Sequence, residues 1–233
     1  GEKTKLVQLM HPGLAGMKEF SLIFVPEHDK GKKGGANIEY IVGSAHQITE
    51  ESLEIAHKKW EQMFSKLTKP LTAVIVGGAI KNHAFSEENA ADFGRLLVKF
   101  YEKIGGTLLL TTSRRTGENA QAILLEQIRD IPCYKYLWGD KGENPYMGFL
   151  SEADNIVVTG DSVSMCSEAV GTAKPVYIFE GKGLLTKKHI RFVKSLYNNR
   201  LAVPLDGDVK KVDAANRIFN PAFYIAKKIS LID

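Results

Sequence analysis

After Pro70 the chain alternates between two hydrophobic periods. Short runs that are apolar at almost every position, such as Ala73-Val74-Ile75-Val76 and Ile156-Val157-Val158, are separated by longer stretches with apolar residues three or four apart. The runs predict strands at Thr72–Val76, Thr107–Thr111, Cys133–Leu137, Asn155–Thr159 and Pro175–Phe179. The stretches between them predict helices near Glu87–Ile104, Glu118–Arg129, Pro145–Glu152 and Ser164–Val170. Strands without a polar face belong in a parallel sheet covered on both sides, so residues 70–205 read as one doubly wound α/β domain.

Residues 1–67 carry three more strand candidates, Lys5–Met10, Ser21–Val25 and Ile38–Val42, joined by loops rich in Gly, Lys and Pro, which amounts to part of a second α/β domain. Thr49 followed by Glu50 and Glu51 predicts a capped, acidic start for a helix over Ser52–Leu67. Thr68-Lys69-Pro70 ends that helix and marks the linker. Downstream, Leu184–Asn199 reads as a helix and Ala214–Ile229 as another, interrupted near Pro221. The segment 206–233 is expected to pack back on the first domain.

The composition of the 233 residues, 44% hydrophobic and 25% charged, is that of a globular protein and excludes a disordered or fibrous chain. Lys and Arg number 31 against 27 Asp and Glu, a net charge of +4, and the cations are scattered, so no nucleic-acid partner is expected. Cys133 and Cys166 have neither disulfide-framework nor zinc-ligand spacing. No apolar run reaches the roughly 18 residues of a membrane span, and the N-terminal residues lack the apolar core of a signal peptide. A soluble, cytoplasmic protein is the expectation, with peripheral membrane association an option if its acceptor is a lipid. The chain opens on a strand-like segment without an initiating Met, which reads as a processed or truncated piece.

In an open parallel sheet ligands bind beyond the carboxyl ends of the strands, and four consecutive strand ends here are polar. The first is Gly77-Gly78-Ala79-Ile80-Lys81-Asn82-His83, either a backbone cradle for an anion or a plain tight turn. The second, Thr111-Thr112-Ser113-Arg114-Arg115-Thr116, places two guanidiniums where a helix is about to begin, which suits an oxyanion such as pyrophosphate or a solvated basic turn. Third comes Trp138, a base platform or a core residue, with Glu143, Asn144 and Tyr146 close behind. The fourth contains Asp161, Ser162, Ser164, Met165 and Glu168. There Asp161 or Ser162 can cap a helix, and Ser164 and Glu168 share one helical face, where a carboxylate can accept ribose hydroxyls.

These motifs also carry a resemblance. Val76-Gly77-Gly78 with Lys81-Asn82 and Phe85, the Thr111–Thr116 segment, Gly142-Glu143-Asn144-Pro145-Tyr146, and Thr159 through Ala169 followed by Lys174-Pro175-Val176 resemble the mitochondrial-fission Elm family. Bacterial members of that family are labelled nucleoside-diphosphate-sugar epimerases. His11-Pro12 and Val25-Pro26-Glu27-His28-Asp29 fit the same family, whose members carry a further stretch ahead of Lys5, so the first Rossmann-like domain is expected to be incomplete. More distantly, the second half is similar to the donor-nucleotide domain of glycosyltransferases built from two Rossmann-like domains, the GT-B type. That resemblance implies Gly77 and Gly78 beside a diphosphate, Ser162 and Ser164 at a helix start, and Glu168 on a ribose.

The expected activity is therefore transfer of a sugar from a nucleoside diphosphate to an unknown acceptor, without a metal or a permanently bound cofactor, with His28 or Asp29 as the candidate base. His11, His46 and His83 are alternatives for that base. A non-catalytic adaptor, as the plant members imply, and a nucleotide-sugar hydrolase or epimerase are the competing readings. The epimerase label sits poorly with a chain that has no dinucleotide fingerprint.

Overall fold

The computed structural model describes residues 4–13, 16–30, 35–79, 83–206 and 218–232, and the described residues form two parallel sheets. The first contains β1 (Val7–Leu9), β2 (Leu22–Pro26) and β3 (Ile38–Ile41) in that order. Residues Glu50–Phe64 then form α1, opened by a reciprocal cap: the Thr49 hydroxyl accepts the Ser52 N–H at 3.0 Å and the Ser52 hydroxyl accepts the Thr49 N–H at 2.9 Å. The helix starts two residues before the predicted Ser52 because Glu50 and Glu51 are its first turn. Although α1 precedes the linker, it buries Ala56, Trp60 and Phe64 in the core of the second sheet, with Phe64 5.7 Å from Phe149.

The second sheet has β4 (Leu71–Val76), β5 (Thr107–Thr112), β6 (Cys133–Tyr136), β7 (Asn155–Thr159), β8 (Val176–Phe179) and the two-residue β9 (Val203–Pro204). Its order is β6-β5-β4-β7-β8-β9, all parallel, so the winding direction reverses between β4 and β7. β4 and β5 are buried at every position, as strands covered on both faces must be. The covering helices are α2 (Glu87–Ile104), α3 (Glu118–Gln127), α4 (Tyr146–Glu152), α5 (Val163–Gly171) and α6 (Lys187–Asn198). α2 turns Ala90, Phe93, Leu97 and Phe100 inward at helical spacing, and Ser86 caps its start.

Elements near the end of the chain also differ from the sequence expectation. α6 begins at Lys187 rather than Leu184, because the Thr186 hydroxyl accepts the His189 N–H while Leu184 and Leu185 go into the core as loop residues. β9 lacks a sequence signal, being only two residues long. Pro221 starts the last helix, α7 (Pro221–Ile229), instead of interrupting it. Asn220 is the cap, and a first-turn proline forfeits no helical hydrogen bond. The predicted residues 214–217 of that helix lie outside the described residues.

α7 lies on the first sheet. Ile225 packs with Phe24 and Ile41, while Tyr224 and Lys228 each donate to the Glu39 carboxylate at 2.7 Å. The strand ends of the first sheet meet the second domain at α5 and α6. The Ser44 N–H donates to Ser167 Oγ at 3.0 Å, and Lys188 Nζ lies 2.7 Å from Asp29 Oδ2.

Candidate functional site

The reversal between β4 and β7 brings three of the polar strand ends together, and there the loops hold one another. The N–H of Gly77 donates to Thr159 Oγ1 and that of Gly78 to Asp161 Oδ2, each at 2.7 Å, while the Ala79 N–H donates to the Arg115 carbonyl at 2.9 Å. The hydroxyls of Ser113 and Thr116 both donate to the Gly77 carbonyl, at 2.9 and 2.5 Å. A Cβ on Gly77 would lie 2.2 Å from an Asp161 carboxylate oxygen, and one on Gly78 would lie 2.0 Å from the Arg115 backbone. The glycines are thus required by close approach of the chain to itself. Of the two readings of this turn, the described contacts are those of a tight turn packed against its neighbours, with Ser113 donating inward to Gly77.

Of the two residues offered as the cap of α5, one is used. Ser162 caps α5, its hydroxyl accepting the Met165 N–H at 3.4 Å, whereas Asp161 turns back into the crevice and is 1% exposed. Arg115 Nη2 stands 3.7 Å from the Asp161 Oδ2 that already accepts from Gly78, and Oδ1 is buried without a hydrogen-bond partner. Burial raises the Asp161 pKa, and the Gly78 N–H, the Thr159 hydroxyl and the Arg115 charge oppose that rise. Arg114, by contrast, is exposed beside this cluster. Both arginines sit in a turn ahead of Gly117, one residue before α3 begins, so neither works against that helix's dipole from inside it.

The start of α5 is the more open part of the site. With Met165 N–H taken by the cap, the first-turn N–H groups of Val163 and Ser164 have no partner among the described residues, and the Ser164 side chain is exposed. One turn on, Glu168 is half-buried and accepts the Tyr146 hydroxyl at 2.5 Å through Oε2. Burial, together with the adjacent Glu168 carboxylate, pushes the Tyr146 phenol well above its usual range, so it remains the donor. The remaining lone pairs of Glu168 stay available to further donors.

The other predicted residues are spread more widely. Trp138 follows β6, three strands from β7 and so roughly 14 Å across the sheet; its ring is 63% exposed rather than in the core. Glu143 forms an ion pair with Lys59 of α1, and Asn144 Oδ1 accepts the Tyr146 N–H at 3.0 Å to open α4. Met165 is half-buried on α5. Lys81 and Asn82 lie outside the described residues.

His28 and Asp29 stand apart from this group, in a short 3-10 turn after β2 that sits on α6. His28 is 2% exposed, its ring packs edge-on against Phe192 at 5.1 Å, and its carbonyl accepts two bonds from the Arg191 guanidinium. Burial pulls its pKa down to about 4. Asp29 is engaged by Lys188, and both residues tie the first sheet to α6. Sequence reasoning placed Thr159 at the head of the fourth motif without giving it a role, and missed His189. The latter is a buried residue of α6 whose pKa is lowered chiefly by burial and which feels the charges of Asp161 and Arg115. It could have been found by extending the strand-end search past β8. Among the described residues no three His, Cys, Asp or Glu side chains cluster as metal ligands would.

The chain matches the family model described as mitochondrial fission ELM1 over residues 1–230. It is 29% identical to the mitochondrial fission protein ELM1 of Arabidopsis thaliana, over 84% of this chain and 50% of that protein. Identity is also 29% with an uncharacterized protein of Rickettsia prowazekii, over 86% of this chain and 65% of that one. The chain thus spans about half to two thirds of the length of these relatives. Among solved structures it is similar to MurG of Acinetobacter baumannii, with 12% identity, a TM-score of 0.45, and coverage of 93% of this chain and 53% of that chain. It is also similar to the UDP-GlcNAc 2-epimerase of Neisseria meningitidis bound to UDP-GlcNAc, with 12% identity, a TM-score of 0.40, and coverage of 83% and 55%.

Proposed function

Starting from a chain that belongs to the mitochondrial fission ELM1 family, we propose that it binds a nucleoside diphosphate sugar beyond the carboxyl ends of the second sheet, as a glycosyltransferase of the GT-B type does. The observation that carries this reading is the pair of Glu168 on α5 with Tyr146 at the start of α4. A carboxylate fixed in orientation by a tyrosine that stays protonated, one turn from the exposed Ser164, has the acceptor capacity to take both hydroxyls of a ribose. The unpaired N–H groups at the α5 start and the exposed Arg114 supply partial and full positive charge for the diphosphate. Trp138 offers an exposed aromatic face for a base. Sugar transfer would then place growing negative charge on the leaving diphosphate, next to Arg114.

A second reading, an adaptor that retains the fold, is favoured by a separate observation: His28, first of the residues named as a base, is buried between β2 and α6, and Asp29 is paired with Lys188. One titration separates the two. UDP, GDP, ADP and their common sugar conjugates are titrated by calorimetry into the wild type, Glu168→Ala and Arg114→Ala. The nucleotide reading expects one nucleotide to bind at micromolar affinity, with a loss of at least tenfold in each variant. If none binds to the wild type, the adaptor reading stands in its place.

A further inference from the structure

We propose that Asp161 is the resident anion of the crevice between β4 and β7, a carboxylate that keeps phosphate groups off the Gly77-Gly78 turn and thereby fixes where a ligand's diphosphate can lie. The inference deepens the nucleotide reading of the site, although the exclusion itself concerns this chain's own residues.

A turn that holds a phosphate offers free N–H groups, a cation and room for an oxygen. All three are present here and none is left open: the Gly77 and Ala79 N–H groups go to Thr159 and the Arg115 carbonyl, and the Gly78 N–H, the Arg115 charge and the space go to Asp161. Its Oδ2 accepts the Gly78 N–H at 2.7 Å and lies 3.7 Å from Arg115 Nη2. The carboxylate also fills the space that even one carbon on Gly77 would need, with contacts of 2.2 to 2.6 Å to its three terminal atoms. An incoming phosphate oxygen would have to evict this group or settle against a like charge.

Structural need does not account for the charge. A serine or asparagine side chain would satisfy the same N–H, while Asp161 is 1% exposed with Oδ1 unpartnered, and a buried carboxylate with an empty oxygen is costly. What the charge adds is a hold on Arg115 and repulsion of anions. The diphosphate of a nucleotide is thereby directed outward, to Arg114 and the first turn of α5.

The test uses inorganic pyrophosphate, which carries no base, ribose or sugar, titrated by calorimetry into the wild type and Asp161→Asn. Asparagine keeps an acceptor for Gly78 and removes the charge. The expected result is at least a tenfold gain in pyrophosphate affinity for Asp161→Asn, abolished when Arg115→Ala is added. Equal or weaker binding by a folded Asp161→Asn overturns the proposal. If that variant does not fold, Asp161→Ser carries the same expectation. The wild type provides an independent arm: saturable pyrophosphate binding that depends on Arg115 would show that the crevice already admits a diphosphate, and would overturn the proposal without any change at Asp161. Nucleotide binding by the wild type with no pyrophosphate gain in Asp161→Asn refutes this inference alone. A pyrophosphate gain in a protein whose wild type binds no nucleotide refutes the nucleotide reading alone.

Discussion

The first sheet, with three described strands, rests on a small cluster of Phe24, Ile41 and Ile225 and is fastened from outside by α7 and α6, whereas the second sheet is buried on both faces along β4 and β5. In the first, the fastenings are polar and partly wet: Lys228 to Glu39, Lys188 to Asp29, and the Arg191 guanidinium to a single carbonyl. In the second they are aromatic and aliphatic, as in the run Phe85, Phe93 and Phe179. Ion pairs between half-exposed side chains contribute about 1 kcal/mol or less, while a buried aromatic contributes several times that. The candidate site is therefore built on the half with the larger buried core.

Removing a large side chain from the second core should have the greatest effect. Phe93 is fully buried, 4.8 Å from Phe179, and Phe93→Ala is expected to cost about 3–5 kcal/mol of stability in a denaturant titration. Loss of less than about 1 kcal/mol would mean that this core is not what holds the domain. Ile225→Ala, in the small cluster, should cost less, about 2 kcal/mol, and its effect should be local. Hydrogen exchange is expected to speed up in β1, β2 and β3 while β4 and β5 keep their protection. Equal loss in both sheets would show one cooperative unit and abolish the distinction.

The same contrast explains what could be read in the sequence. β4, β5 and β7 were legible because strands buried on both faces are apolar at almost every position, and α2 because Phe93, Leu97 and Phe100 recur at helical spacing. α7 was misjudged at Pro221 since periodicity does not tell a helix-starting proline from a helix-breaking one. At the site, the sequence indicated which strand ends are polar but not what the polar groups face. Gly77 and Gly78 read equally as an anion cradle or a tight turn, and what they are pressed against, Asp161 and Arg115, lies far away along the chain. His28 was picked out for its strand-end position, and no local signal announced that Phe192 and Arg191 would enclose it.

The finest effect to resolve is one of pH, read as a proton count, and it tests the seam between the two sheets. His28 has a pKa near 4 in the folded chain against 6.5 unfolded, because its buried ring resists charging. Between those values the unfolded chain holds the additional proton, so this residue's contribution to stability is complete above pH 6.5 and is lost as pH falls toward 4. The loss is on the order of 3 kcal/mol across that window. His46 and His189 are also held below their ordinary value by burial and act in the same direction, whereas His57, raised chiefly by its hydrogen bond to Glu152, acts in the opposite one, stabilising at low pH and fading as pH rises through its folded value. The net slope therefore mixes several groups, and His28 is isolated by difference. His28→Phe retains a ring against Phe192 and removes the titration, so unfolding near pH 5 should take up about one proton fewer than in the wild type. An unchanged proton count would place the His28 ring in water, and the seam between β2 and α6 would then be open rather than packed.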